Sequence, residues 1–280
     1  MQDLHTHSTY SDGTFEPSQL IDYALAHGVT QLALTDHDTI DGVMECQEYG
    51  ASKGLTVIPG FELSVNWNHK VIHIVALDID VTSGSLNTLL KKQQDMRQIR
   101  AIAIGQQLEE TMGLKNGYEK ALRLATGNLV ARPHFARILI DESYCKDMKT
   151  AFSRYLKRGK CGYVRTNWVD LSEGLRIIAE AGGVAVLAHP KKYKLTSTKL
   201  NELLTDFKTM GGSALEVISG LTPRDDISHL SALCQKYDLL ASIGSDFHGE
   251  ILTPHSMKRL GSLPKVCKAL MDSPIMEKYK

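Results

Sequence analysis

Seven histidines and three carboxylates stand at or near the ends of apolar runs spread along this chain. They are His5, His7, His37, His73, His134, His189 and His248, with Asp12, Glu62 and Asp246. Imidazole and carboxylate are the side chains that bind catalytic divalent metals. Brought to one place, such a set would hold two or three ions. His5 and His7 are two apart, so on a strand both rings share a face. A His-x-His pair alone arises by chance, and a histidine of the core is then the plainer explanation. His37, Glu62, His189, Asp246 and His248 change the balance, because each follows or ends an apolar run. In parallel α/β folds that C-terminal strand edge is where ligands bind.

The elements that must position these residues read as strand then helix, repeated. Candidate strands are 3–7, 31–35, 56–63, 70–79, 184–188, 214–218 and 240–244, short and rich in Val, Ile or Leu. That composition suits strands buried on both faces. Pro17 opens a helix whose apolar face carries Leu20, Ile21, Ala24 and Leu25, and Gly28 stops it. Further helices are expected over 40–53 and 171–181. The alternation predicts a parallel barrel or an open α/β sheet. Residues 86–169 break the rhythm: they read as helices at 85–112, 118–126, 133–140 and 146–156, rich in Lys and Arg. The expected organisation is a barrel from 1–85 and 170–280, with 86–169 as a helical insertion packed over its mouth.

Composition narrows the class. Lys+Arg and Asp+Glu are equal at 32 each, which leaves no global field to attract nucleic acid. No leader-like segment and no run of about 20 apolar residues is present, so a cytoplasmic location is expected. The five cysteines are scattered without a Cys-x-x-Cys pair, as expected for reduced structural thiols.

The motifs resemble those of the polymerase-and-histidinol-phosphatase (PHP) family of metal-dependent phosphoesterases. They are DLHTHSTYSDGT at 3–14, LTDHDT at 34–39, PGFELS at 59–64, the His73 strand, LAHP at 187–190 and GSDFHG at 244–249. Arg132-Pro133-His134 within a helical insertion, followed by the basic stretch 155–160, is similar to one subfamily. Its members are bacterial 3′,5′-nucleoside bisphosphate phosphatases, some described as 5′-to-3′ exoribonucleases. The resemblance implies a distorted (β/α)7 barrel.

It also implies a ligand set. His5, His7, Glu62 and Asp246 are expected around one metal, with Glu62 bridging to a second held by His73 and His134. Asp12, His37 and His248 are expected at a neighbouring ion, with His189 close by. His134 has phosphate contact as its alternative. Two or three divalent ions are implied, manganese first, with iron or zinc as alternatives. His189 or His248 could protonate the leaving oxygen, and Asp246 is a ligand whose loss should disable the site. Asp36 and Asp38 could orient ligand rings or cap the next helix.

A second substrate phosphate needs its own cradle. Arg97 and Arg100 are three apart on a predicted helix and share a face. Arg132 adjoins His134, and Arg158 lies in a basic loop with Lys157 and Lys160. Arginine forks match phosphate oxygens, although for each but Arg132, whose neighbour lies in a recognised motif, the plainer role is a solvated surface charge. The resemblance therefore implies removal of the 3′-phosphate of a nucleoside 3′,5′-bisphosphate (pAp to AMP), with short oligoribonucleotides as further substrates. No membrane or obligate protein partner is indicated. The alternatives are a phosphatase of another small phosphomonoester, such as histidinol phosphate, or a non-catalytic metal-binding domain.

Overall fold

A computed structural model describes residues 1–127 and 129–279. Strands β1 (Gln2–Thr6), β2 (Gln31–Leu34), β3 (Thr56–Trp67), β4 (Lys70–Leu77), β6 (Val184–Leu187), β7 (Ala214–Ser219) and β8 (Leu240–Gly244) pair in that order. The two-residue β5 (Val169–Asp170) pairs beside β3, off this path. A parallel bridge between Thr6 and Phe247 joins the two ends of the path, so the sheet nearly closes into the expected barrel. The pairings are parallel except those of β4, which runs antiparallel to β3 and to β6. That reversal is the distortion. It brings the first half of β4, with His73 opposite Ser64, to the edge where the other strands end.

Helices α1 (Pro17–Ala26), α2 (Val43–Ser52), α7 (Leu171–Glu180), α8 (Ser197–Thr209) and α9 (Arg224–Tyr237) connect the strands. The last two had not been singled out in the sequence. Helix α2 begins at Val43 rather than at residue 40. Outside the sheet, Leu63, Val65, Ile74, Leu175, Ile178, Leu203 and Phe207 join strands to helices in the largest apolar cluster. A second cluster includes Leu4, Ala33, Ile58, Val75 and Val186 with Leu270, Met271 and Met276 of the last turns. Those turns lie at the edge remote from the site, since Gln31, where β2 starts, bonds Tyr279, and Ala241 of β8 bridges Ala269.

Residues 84–156 supply α3 (Gly84–Met112), α4 (Gly117–Leu124), α5 (Arg132–Asp141) and α6 (Met148–Ala151), the last running into a π turn at 152–156. Gly113 ends α3 at φ 77°, a backbone that suits glycine. Ala101, Ile104, Leu108, Phe135, Leu139 and Leu156 give these helices a core of their own. The inner part of α3 docks on the barrel: Gln93 donates to the Ser64 carbonyl (2.7 Å) and accepts from Val169 N (3.2 Å).

Candidate metal centre

Strand ends bring the ligand-type residues together. His5 and His7 come from β1 and the residue after it, Glu62 from β3, His73 from β4, His189 from the end of β6 and Asp246 and His248 from the turn after β8. Asp12 arrives on the loop after β1. That loop is held by Asp36, which accepts from Ser8 N (2.8 Å), Ser8 Oγ (2.5 Å) and Ser11 Oγ (2.5 Å). Gly244 is required where β8 passes β1, because a Cβ there would lie 2.3 Å from that of His5. Asp38, His189 and Asp246 all adopt positive φ (52°, 29° and 53°), a backbone strain that gathers at functional sites.

Among the described residues four sets of ligand atoms converge, the atoms within each set lying within 4.8 Å of one another. They are His5, His7 and Asp246; His37, Glu62 and His73; His7, Asp12, His37 and His248; and His5, Glu62 and His189. Hydrogen bonding, as from His73 (2.9 Å) and His189 (2.8 Å) to Glu62 Oε1, accounts for only part of this convergence. Nε2 of His5, both ring nitrogens of His7, Nδ1 of His37 and Oε2 of Glu62 are buried with no hydrogen-bond partner. Buried polar atoms without partners are costly, and lone pairs aimed at a common centre fit divalent ions.

The electrostatics agree. Burial opposes charge on Glu62, Asp12 and Asp246. Even so, the facing imidazoles, with Lys192 ahead of His5 at Asp246, hold all three well below the usual carboxylate range. Burial brings His7 down to about 3 and His73 to about 4, the neutral state of a ligand. His5 and His248 go the other way. Burial is outweighed by Glu216 foremost at His5 and by Asp12 at His248, which reaches about 9. A carboxylate cluster of this density demands positive charge from some source.

Tautomers separate ligands from other roles. His5 donates Nδ1–H to Glu216 Oε1 (2.9 Å), so Nε2 offers its lone pair to the centre. His248 likewise donates Nδ1–H to the Asp246 carbonyl (2.9 Å), which turns Nε2 toward Asp12 at 3.3 Å, where it carries a proton without metal and would give it up to an ion held between them. His134 differs from the expectation. It belongs to none of the four sets, and its Nδ1 accepts from Ala131 N (3.0 Å) at the start of α5. Neutral His134 therefore carries its proton on Nε2 and is a donor there, not a lone-pair ligand. His189 sits with His5 and Glu62 instead of beside Asp12, and His37 reaches the Glu62–His73 set.

A cavity of 1030 Å³ opens over this centre. Arg97, Arg100, Arg132 and Arg158 line it together with Asp12, Glu62, His73, His189, Asp246 and His248. The arginines are not equivalent. Arg97 is committed to Asp38, its Nε 2.7 Å from Oδ2, and also meets Ser64 Oγ at 3.0 Å. Asp38 thereby ties α3 to the turn after β2, neither orienting a ligand ring nor capping α2. Arg100 has its Nε buried without a partner. Burial first, then neighbouring arginines, pull Arg100 and Arg132 below their usual range. Arg97 and Arg100 both stack on Trp168, 5.2 and 5.7 Å from its ring. Arg158 is exposed on the rim.

Two residues of this site escape the motif reading. Lys192 donates to Asp246 Oδ2 from the turn after β6. Glu216 lies within β7 and is 2% exposed. A glutamate in the apolar stretch Ala-Leu-Glu-Val-Ile is the signal that could have exposed it.

The PHP domain model matches residues 3–160. A 5′-3′ exoribonuclease of Haemophilus influenzae is 40% identical over 246 residues, 88% of this chain and 89% of that protein. A 3′,5′-nucleoside bisphosphate phosphatase of Chromobacterium violaceum is 38% identical over 96% of this chain and 94% of its own. A solved structure from Chromobacterium violaceum, described as an amidohydrolase with bound sulfate and no metal, superposes with a TM-score of 0.90 at 38% identity. It covers 96% of this chain and 94% of that one. The chain belongs to the PHP domain family.

Proposed function

We propose that this chain, a metal-dependent phosphoesterase of the PHP domain family, removes the 3′-phosphate of nucleoside 3′,5′-bisphosphates and also acts on the 5′ ends of short oligoribonucleotides. The observation that carries the reading is the meeting, in one cavity, of partnerless metal-ligand atoms with Arg132 and with Arg100, whose buried Nε has no hydrogen-bond partner. The first set suits the phosphate that reacts. The second suits a phosphate that does not. Two relatives, whose names describe a bisphosphate phosphatase and an exoribonuclease, support the same substrate class.

Divalent ions, when bound, supply Lewis-acid neutralisation of the phosphoryl oxygens and acidify the attacking water. His5, His7, Asp12, His37, Glu62, His73, Asp246 and His248 hold them. Manganese suits this mixed imidazole and carboxylate set, as do iron and zinc. His189 approaches Glu62 through Nε2 (2.8 Å) while its Nδ1 has no partner. It is the better placed of the two expected acids to protonate the leaving 3′-oxygen. Arg100 and Arg132 hold the 5′-phosphate, with His134 donating from Nε2 and Arg158 guiding entry. Helices α3 to α6 act as the cap that carries Arg100, Arg132 and His134, and a nucleotide substrate is in keeping with a cytoplasmic location.

Phosphate release from nucleoside 3′,5′-bisphosphate, nucleoside 5′-monophosphate and histidinol phosphate, measured side by side on manganese-loaded protein, tests the reading. It predicts the bisphosphate as the preferred substrate. Preference for histidinol phosphate, or no release from any of them, would refute it.

A further inference from the structure

A second cleft, of 220 Å³, adjoins the metal centre on the opposite flank of β6. In the sheet, β6 stands between β4 and β7. Trp168 and the β3–β4 hairpin border the main cavity on the β4 side. The cleft lies on the β7 side, between residues 189–192 and the segment joining β7 to α9. His189 and Lys192 line both, so a substrate spanning the two would pass along one side of the candidate metal centre.

The inference rests on the function proposed above and extends it to the far side of the reacting phosphorus. A nucleoside 3′,5′-bisphosphate and a 5′-phosphorylated RNA chain present the same scissile bond. Water oxygen adds to phosphorus, the bond from phosphorus to the 3′-oxygen breaks, and its electron pair leaves with that oxygen, which takes a proton. A nucleoside 5′-monophosphate departs in both cases. The other product is inorganic phosphate from the bisphosphate, and a chain one nucleotide shorter with a new 5′-phosphate from RNA. The substrates differ only in whether phosphorus carries a second sugar. With the departing nucleotide against the arginines, that second sugar must lie beyond the centre.

We propose that the cleft between residues 189–192 and 219–230 receives the second nucleotide of an RNA substrate. Leu221 is 57% exposed and, with Pro223, offers an apolar face to a sugar and base. Ser219 lines the cleft, and its Oγ is buried with no hydrogen-bond partner. That hydroxyl is available to a ribose 2′-OH, the group that marks RNA. Lys191 Nζ pairs with Asp226 at 2.8 Å, which cancels the repulsion this wall would exert on a phosphodiester. The volume is below the roughly 300 Å³ of drug-sized pockets, a size for one nucleoside rather than a longer stretch of chain.

The test uses manganese-loaded full-length protein, a nucleoside 3′,5′-bisphosphate and a 5′-phosphorylated ribotrinucleotide. Leu221→Asp places a negative charge on an exposed position of the cleft. It should lower kcat/KM on the trinucleotide by about tenfold or more and leave the bisphosphate within about twofold. Ser219→Ala should show the same selectivity in weaker form, and should narrow the preference for the ribo- over the deoxyribo-trinucleotide. Equal losses on both substrates, or no loss on either, overturn the assignment. A wild-type protein that hydrolyses the bisphosphate but not the trinucleotide overturns it while leaving the phosphatase reading intact. A wild-type protein that hydrolyses neither removes both.

Discussion

Glu216 grips two histidines of the candidate metal centre at once. Its Oε1 accepts Nδ1–H of His5 at 2.9 Å, and its Oε2 accepts the backbone N–H of His189 at 2.5 Å, where that residue holds φ 29°. One carboxylate thus sets the tautomer of one ring and the strained turn that carries another. Partners of this kind typically contribute about 10–100-fold to metal affinity or activity. Glu216→Ala should therefore weaken manganese binding by that order, and Glu216→Gln by less. Titration calorimetry of metal-free protein checks this independently of turnover. Unchanged affinity in Glu216→Ala would reduce the contact to simple packing.

Arg97 and Arg100 should behave differently although they share a helix face. Arg97 is buried against Asp38, so Arg97→Ala leaves an unpaired interior carboxylate and should cost about 3–5 kcal/mol of stability. Arg100→Ala removes a cation whose Nε has no partner and should cost far less, or even stabilise the metal-free protein. Denaturant unfolding of the two variants distinguishes them, and equal losses would contradict the assignment.

Much of this was legible in advance. Nine of the ten expected ligand residues converge in four sets, and most of them stand at or just after strand ends, which apolar runs mark in the sequence. His134 was not legible: its bond to Ala131 N depends on how α5 begins, which spacing does not report. Arg97 looked like a phosphate ligand because sequence shows a charge but not its partner, and Asp38 lies 59 residues away. β5 was too short to give a pattern, and the reversal of β4 is a matter of pairing, not of composition. Lys192 carried no signal beyond following the LAHP motif.

Arg132 lines the cavity and should bear on substrate choice. Losing one charge-assisted contact costs about 1.5–3 kcal/mol, on the order of ten- to a hundredfold. Arg132→Ala should slow bisphosphate hydrolysis by that factor and affect a phosphate ester lacking a second phosphate much less. Equal losses on both would move Arg132 to the reacting phosphate. No loss on either would make it a surface charge.

His134 gives a pH signature in the metal-free protein. Burial brings it from 6.5 to about 4 in the folded state. Between those values the unfolded chain binds more protons than the folded one, so stability falls as pH drops from about 6.5 toward 4. The contribution present at neutral pH is on the order of 3 kcal/mol. His134→Gln, which can still accept from Ala131 N, should lose less stability over that window than the wild type. Equal losses of stability between pH 7 and pH 4 in the two proteins would contradict a buried, neutral His134.

The most direct measurement joins metal content to turnover. Chelation followed by dialysis, with nucleoside 3′,5′-bisphosphate as substrate and elemental analysis of the same samples, should give protein without metal and without activity. Added Mn²⁺ should restore hydrolysis as two to three ions bind, on the order expected of a multinuclear site. Asp246→Asn should fail to recover under the same conditions. Full hydrolysis by protein shown to contain no metal would contradict the account.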